Sequence, residues 1–145
     1  MIQPKAVHHI GIAVHSIEEH RPYYEDVLGA RFEGVEEVPG QHVRVGFFVI
    51  GSEACPVRLE LLEPASPEST IAAFLEKRGE GLHHVAYAVE GIRERLDDLR
   101  RGGVRLVDDV PRQGAHQMQV AFLHPKSTGG VLTELCEPSG SPLKD

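Results

Sequence analysis

The chain has 145 residues, 41% hydrophobic and 26% charged, and carries a formal net charge of −7. This is the composition of a soluble globular protein, and its acidic balance argues against general nucleic-acid binding, which requires a basic surface. No apolar run reaches the ~18–20 residues of a membrane span, the start Met1-Ile2-Gln3-Pro4-Lys5 has neither signal-peptide nor transit-peptide character, and Cys55 and Cys136 form no CxxC pair; a cytoplasmic location with reduced thiols is expected.

Residues 7–14 read as a strand with Ile10, Ile12 and Val14 on one face and His9, Gly11 and Ala13 on the other. Ser16 is placed to N-cap a helix whose first turn holds Glu18 and Glu19, favourable to its dipole. That helix is expected to run to about Leu28 and stop at Gly29, with Pro22 an obstacle inside it. Strands are expected at 31–38, 43–50 and 57–63, separated by Pro39-Gly40 and Gly51-Ser52. Pro64 to Glu80 reads as a connector carrying a short amphipathic helix, Thr70 to Arg78, with Ile71, Phe74 and Leu75 on one side. The order then repeats: a strand at 83–89, a helix at 91–101 closed by Gly102-Gly103, and strands at 104–109, 117–124 and 130–137. A frayed tail is expected from Pro138 onward.

The sequence repeats with the elements. His8-His9-Ile10-Gly11-Ile12-Ala13-Val14 returns as His83-His84-Val85-Ala86-Tyr87-Ala88-Val89, and Leu59-Glu60-Leu61-Leu62-Glu63-Pro64 returns as Thr133-Glu134-Leu135-Cys136-Glu137-Pro138. The fold expected is α+β: two tandem βαβββ modules, about 6–63 and 81–138, joined by a linker at 64–80 within a single domain of residues 1–145. If the modules pack as pseudo-twofold mates with curved sheets, two His and two Glu converge on one point.

That point has the chemistry of a divalent-metal site. Zinc, nickel, cobalt, manganese or iron accepts imidazole nitrogen together with carboxylate oxygen. His9, Glu60, His84 and Glu134 each lie mid-strand in a near-apolar context, where a carboxylate is costly to bury unless paired or bound to metal. Gly11 and Ala13 beside His9, and Ala86 and Ala88 beside His84, leave room for a ligand where a packed core would carry Val, Ile or Leu. His8 and His83 are the competing ligands; they fall on the opposite face, with Ile10 and Ile12 and with Val85 and Tyr87, and read as core-side residues or as residues supporting the ligands from behind.

At this point the residues resemble the vicinal-oxygen-chelate superfamily, and within it the methylmalonyl-CoA epimerase family, over about residues 6–138. The matching stretches are His8 to Val14, Tyr24 to Gly29, Glu60-Leu61-Leu62-Glu63-Pro64, Phe74 to His84, and Val120 to Leu132 with Glu134-Leu135-Cys136-Glu137. The resemblance implies His9, Glu60, His84 and Glu134 as metal ligands, an acyl-CoA thioester substrate, epimerisation at C2 of methylmalonyl-CoA, and a homodimer. Cobalt is the expected ion, with manganese, zinc, nickel and magnesium as alternatives. The chain departs from the family pattern at Gly40-Gln41-His42, where Glu-Gln-Gly is usual. It also departs at Val45, where some members carry a second catalytic Glu, and at His116-Gln117-Met118, where a Gly-rich run is usual.

Removing and returning a proton next to a thioester needs two acid/base groups. Glu134 is assigned one role; the partner is Glu60 or a water on the metal, with His42 and His116 as outside candidates. Gln41, Lys126 and Ser127 are candidate substrate contacts, the last two in a turn that either closes over substrate or serves only as a turn. Arg44, Arg58, Arg101 and Arg112 are unranked candidates for phosphate. Three rivals stand beside the isomerase. A glyoxalase-I-like lyase would act on a thiol hemithioacetal. A ring-cleaving dioxygenase is disfavoured by the extra Glu60, and a non-catalytic binding module by the intact ligand set.

Overall fold

The computed structural model describes residues 1–138. Of the expected tail it includes Pro138, the last residue of a strand; residues 139–145 lie outside the described residues. Contacts divide the chain into two compact units, His9–His83 and Met1–His8 together with the residues from His84 on.

The first unit contains β1 (Ala6–Ala13) from His9 on, α1 (Ile17–Arg21), β2 (Arg31–Val38), β3 (Val43–Ile50), β4 (Val57–Pro64) and α2 (Thr70–Arg78). Its strands run in the order β2-β3-β4-β1, with β1 parallel to β4 and the other pairs antiparallel. Phe48, Leu59 and Leu61 on one face of this sheet bury against Val14, Ile17 and Ala30. Gly46 permits the close approach of α1, because a Cβ there would stand 2.9 Å from Ile17 Cγ2. Ser16 caps α1 as expected, its hydroxyl accepting the Glu19 N–H.

The first helix is not α-helical throughout. After Arg21 it widens into a π-type turn, Pro22–Val27, closed by a 2.8 Å bond from the Leu28 N–H to the Tyr23 carbonyl. Pro22 has no N–H to donate and its ring presses on the carbonyl four residues back, so the coil widens rather than ends. It stops where expected, at Gly29 with φ of 78°. Beyond α2, the Glu80 carboxylate accepts the His15 N–H at 2.8 Å and meets His20 Nε2 at 3.3 Å. The His15 hydrogen bond holds the Glu80 carboxyl below its ordinary value, against the opposing effect of partial desolvation.

The second unit contains β5 (Gly81–Ala88) from His84 on, α3 (Ile92–Arg101), β6 (Arg112–Gln113), β7 (Met118–Leu123) and β8 (Thr133–Pro138). Its order is β5-β8-β7-β6, with β5 parallel to β8 and the rest antiparallel. The N-terminal arm joins this unit: the Lys5 N–H donates to the Ala88 carbonyl at 2.8 Å, and Ile2 packs on the core of Val89, Ile92, Leu96, Ala121, Leu123 and Leu135.

The strand expected at 104–109 is absent; only a bridge between Leu106 and Leu123 occurs there, and the edge strand is the two-residue β6. Side chains take over part of the ladder there. Asp108 Oδ2 accepts the Phe122 N–H at 2.8 Å, Ser127 Oγ accepts the Arg105 N–H at 2.9 Å, and the Phe122 carbonyl takes both the Val107 and Asp108 N–H groups. β8 also starts later than expected, because Gly129 and Gly130 adopt left-handed φ of 70° and 89° in the preceding turn.

The second glutamate of each repeated motif holds the helix of its own unit. Glu63 Oε1 accepts the Ile17 N–H at 2.9 Å, while its Oε2 binds Arg44 at 2.7 Å. Glu137 accepts the N–H groups of Gly91 and Ile92 at 2.7 and 2.9 Å. α3 has no cap from its own N-cap residue, Gly91, so Glu137 supplies both the hydrogen bonds and the negative charge favoured at a helix start. Glu137→Ala is therefore expected to lower unfolding free energy by about 1–2 kcal/mol in urea titration; an unchanged midpoint and slope would show that water replaces the cap without cost.

Candidate metal centre

The four expected ligands form two pairs, one per unit. In the first, His9 Nδ1 lies 3.3 Å from Glu60 Oε2. In the second, His84 Nε2 lies 2.9 Å from Glu134 Oε1. Exposure is 5% for His9, 8% for Glu60, 6% for His84 and 5% for Glu134, which places all four among the most enclosed polar residues described.

Parallel strand pairing makes each couple. β1 and β4 place Gly11 opposite Glu60, and β5 and β8 place Ala86 opposite Glu134. A small residue beside each carboxylate leaves space into which the histidine two positions earlier reaches. The antiparallel neighbour adds an aromatic residue at the matching place: Phe47 stands opposite Glu60 and Phe122 opposite Glu134. The Phe122 ring meets His84 edge-on, with centroids 5.3 Å apart and planes at 86°. In the second unit Ala86, Val120 and Cys136 form a small apolar cluster with Met118 alongside.

The donors fit a divalent ion. Two ligand atoms each about 2.0–2.1 Å from one ion, at roughly 90–110°, stand about 2.8–3.4 Å apart; the two pairs measure 3.3 and 2.9 Å. Neutral imidazole with carboxylate suits zinc, cobalt, nickel, manganese or iron, and burial in apolar strands gives these groups a reason to seek a cation.

Of the other sequence candidates, Arg58 is exposed and stands opposite His9 in the β1–β4 register, while those in the turns lie further along their strands from these pairs. Gln41 is half-buried in a 3₁₀ turn, Pro39–Gln41, before β3. Lys126 is exposed in the turn Pro125–Ser127 beyond β7, and the Ser127 hydroxyl holds the Arg105 N–H. His42 and His116 are exposed and adopt left-handed φ of 54° and 55° in the turns preceding β3 and β7. Among the arginines, Arg44 is bound to Glu63, and Arg112 lies over Phe122 at 6.0 Å with its Nε 3.4 Å from Asp108. The capping roles of Glu63 and Glu137 and the aromatic neighbours Phe47 and Phe122 are findings beyond the sequence reading. The repeat itself was the available signal for both.

Residues 8–122 match the Glyoxalase/Bleomycin resistance protein/Dioxygenase superfamily, and the chain belongs to it. The Bacillus subtilis (strain 168) protein YqjC is 49% identical over 132 residues, 91% of each chain. The mitochondrial methylmalonyl-CoA epimerase of Mus musculus is 38% identical over 130 residues, covering 89% of this chain and 71% of the mouse protein. Among solved structures, a methylmalonyl-CoA epimerase in complex with methylmalonyl-CoA and ammonium superposes with a TM-score of 0.86 at 34% identity, covering 94% of this chain and 96% of its own. Within the superfamily the chain thus groups with methylmalonyl-CoA epimerases, which are isomerases, and it shares their glyoxalase-type α+β fold.

Proposed function

We propose that the chain is a metal-dependent epimerase that interconverts (R)- and (S)-methylmalonyl-CoA, its two units acting as one functional domain. The observation carrying this reading is the buried His–Glu pair found at repeat-equivalent places in each unit. It is supported by relatives named for that reaction and by the neighbour solved with methylmalonyl-CoA. His9, Glu60, His84 and Glu134 would hold one divalent ion, with cobalt the first choice. When bound, the ion supplies positive charge that stabilises the enolate oxygen as a thioester loses its α-proton.

The rest is the work of side chains. Glu134 takes or returns the C2 proton on one side, and the apolar residues Ala86, Val120 and Cys136 exclude water beside it. Lys126 offers an exposed ammonium to a CoA phosphate, on a turn that Ser127 holds in place. Gln41 is the candidate for a neutral polar contact with substrate.

His9→Ala and His84→Ala are each expected to weaken cobalt binding by at least ~100-fold in competition titration, since even losing an outer-shell partner of a ligand costs ~10–100-fold; wild-type affinity removes the residue from the ligand set. For the reaction, methylmalonyl-CoA is followed by NMR in D2O with protein stripped of metal and then reloaded with cobalt. Metal-dependent loss of the C2 proton with interconversion of epimers is expected. Glu134→Gln should slow it by about 10²–10⁴-fold while cobalt stays bound. No exchange with metal bound rejects the epimerase reading and directs the assay to a thiol hemithioacetal. Lys126→Ala should raise KM for the CoA ester at unchanged kcat; an unchanged KM removes Lys126 from substrate binding.

A further inference from the structure

Most arginines of this chain have a charged partner. Arg21, Arg44, Arg95, Arg100, Arg101 and Arg112 each form an ion pair with a carboxylate. Among the described residues no ion pair engages Arg31 or Arg58, although the chain carries a net charge of −7. Both are exposed. Arg31 Nη1 donates to the Gly51 carbonyl at 3.4 Å, which leans its side chain toward the turn joining β3 to β4. Glu53, exposed in that turn, pairs with neither arginine.

Strand register brings the two together. Across β2 and β3, Arg31 stands opposite Val49; across β3 and β4, Val49 stands opposite Arg58. Opposed residues share a face, and every second residue returns to it. Phe47, two positions before Val49, stands opposite Glu60, so Arg31, Val49 and Arg58 lie on the face that carries Glu60. Burial on the other face agrees: Phe32, Phe48, Ile50, Leu59 and Leu61 pack in the core with Ile17. On its second side Arg58 stands opposite His9. Val49, 4% exposed, thus lies between two exposed cations beside the His9–Glu60 pair. An arginine stem can cover such an apolar residue while the head stays in water. Two strand spacings, about 10 Å, separate β2 from β4, which leaves room for one oxyanion with a guanidinium on each side.

The repeat shows that the strand does not require a cation there. Arg58 precedes Leu59-Glu60, and the residue preceding Thr133-Glu134 is Leu132, half-buried. One copy of the motif therefore carries a charge at the place where the other has an apolar side chain. We propose that Arg31 and Arg58 form a clamp for an oxyanion of the substrate, a carboxylate or a phosphate. Each guanidinium offers parallel N–H donors that match two oxygens of such a group, and a pair of them holds it from both sides. The assignment rests on the epimerase reading above, whose substrate carries both kinds of oxyanion.

The test is calorimetric binding to cobalt-loaded protein, with the cobalt absorption spectrum as a readout of the intact centre. Two ligands are compared: methylmalonyl-CoA, and the same acyl group on N-acetylcysteamine, a thioester without phosphate. Arg58→Leu and Arg31→Leu should each weaken methylmalonyl-CoA binding at least ~10-fold with the spectrum unchanged. Arg58→Lys, which keeps the charge and loses the parallel donors, should fall between. Weakening of both ligands assigns the oxyanion as the acyl carboxylate; weakening confined to the CoA ester assigns it as a phosphate. Arg93→Leu, at an exposed arginine of α3, controls for loss of charge alone and should bind as wild type does. Unchanged affinity in either the Arg31 or the Arg58 variant overturns the clamp, as does equal weakening by Arg93→Leu. Wild-type protein that binds the CoA ester yet exchanges no C2 proton rejects the epimerase reading instead, because affinity and turnover are measured separately.

Discussion

Four ionisable side chains enclosed in the middle of apolar strands are the constraint to which the rest of this structure answers. A lone charge in such a place costs several kcal/mol, and removing one member of a buried pair leaves the other uncompensated. His9 with Glu60 and His84 with Glu134 escape that cost by pairing, at 3.3 and 2.9 Å. The pairing in turn dictates the strands around it. The parallel contacts β1–β4 and β5–β8 set each histidine beside its glutamate, and Gly11 and Ala86 give way where a larger side chain would fill the space.

Duplication explains why one solution appears twice. Each motif carries two glutamates with separate duties: Glu60 and Glu134 point to the buried pair, while Glu63 and Glu137 take the N–H groups at the start of the helix on the other side of the sheet. A single eight-residue or shorter strand therefore anchors both the chemistry and the helix packed behind it. The copies have also diverged. Glu63 is opposed by Arg44 and held by it, whereas Glu137 faces Gln119. The first unit retains a charge partner for its cap that the second replaces with two amide donors.

The repeat, the βαβββ order and the four buried residues were legible in the sequence because each depends on local pattern: alternation along a strand, a Ser at a helix start, a motif met again about 75 positions on. Strands 31–38 and 43–50 and helix 70–78 lie where the pattern places them. What escaped depends on contacts between distant residues. The segment 104–109 has strand-like composition, yet Asp108 and Ser127 take the N–H groups that a ladder would use. The caps link residues 45 and 46 positions apart. The register of β2 on β3, which sets Glu36 opposite Val45, is likewise set by distant contacts, since a shift of one residue would turn every side chain of the strand to the other face.

The turn after β7 is held in one shape by its own side chains. Ser127 spends its hydroxyl on the Arg105 backbone, the His124 ring accepts the Lys126 N–H, and Thr128 bonds back to carbonyls of its own turn. A segment tied at so many points is a wall rather than a lid. Enzymes that close a loop over their substrate commonly spend their turnover time opening it again. On the epimerase reading proposed above, a turn held in this way would impose no such delay.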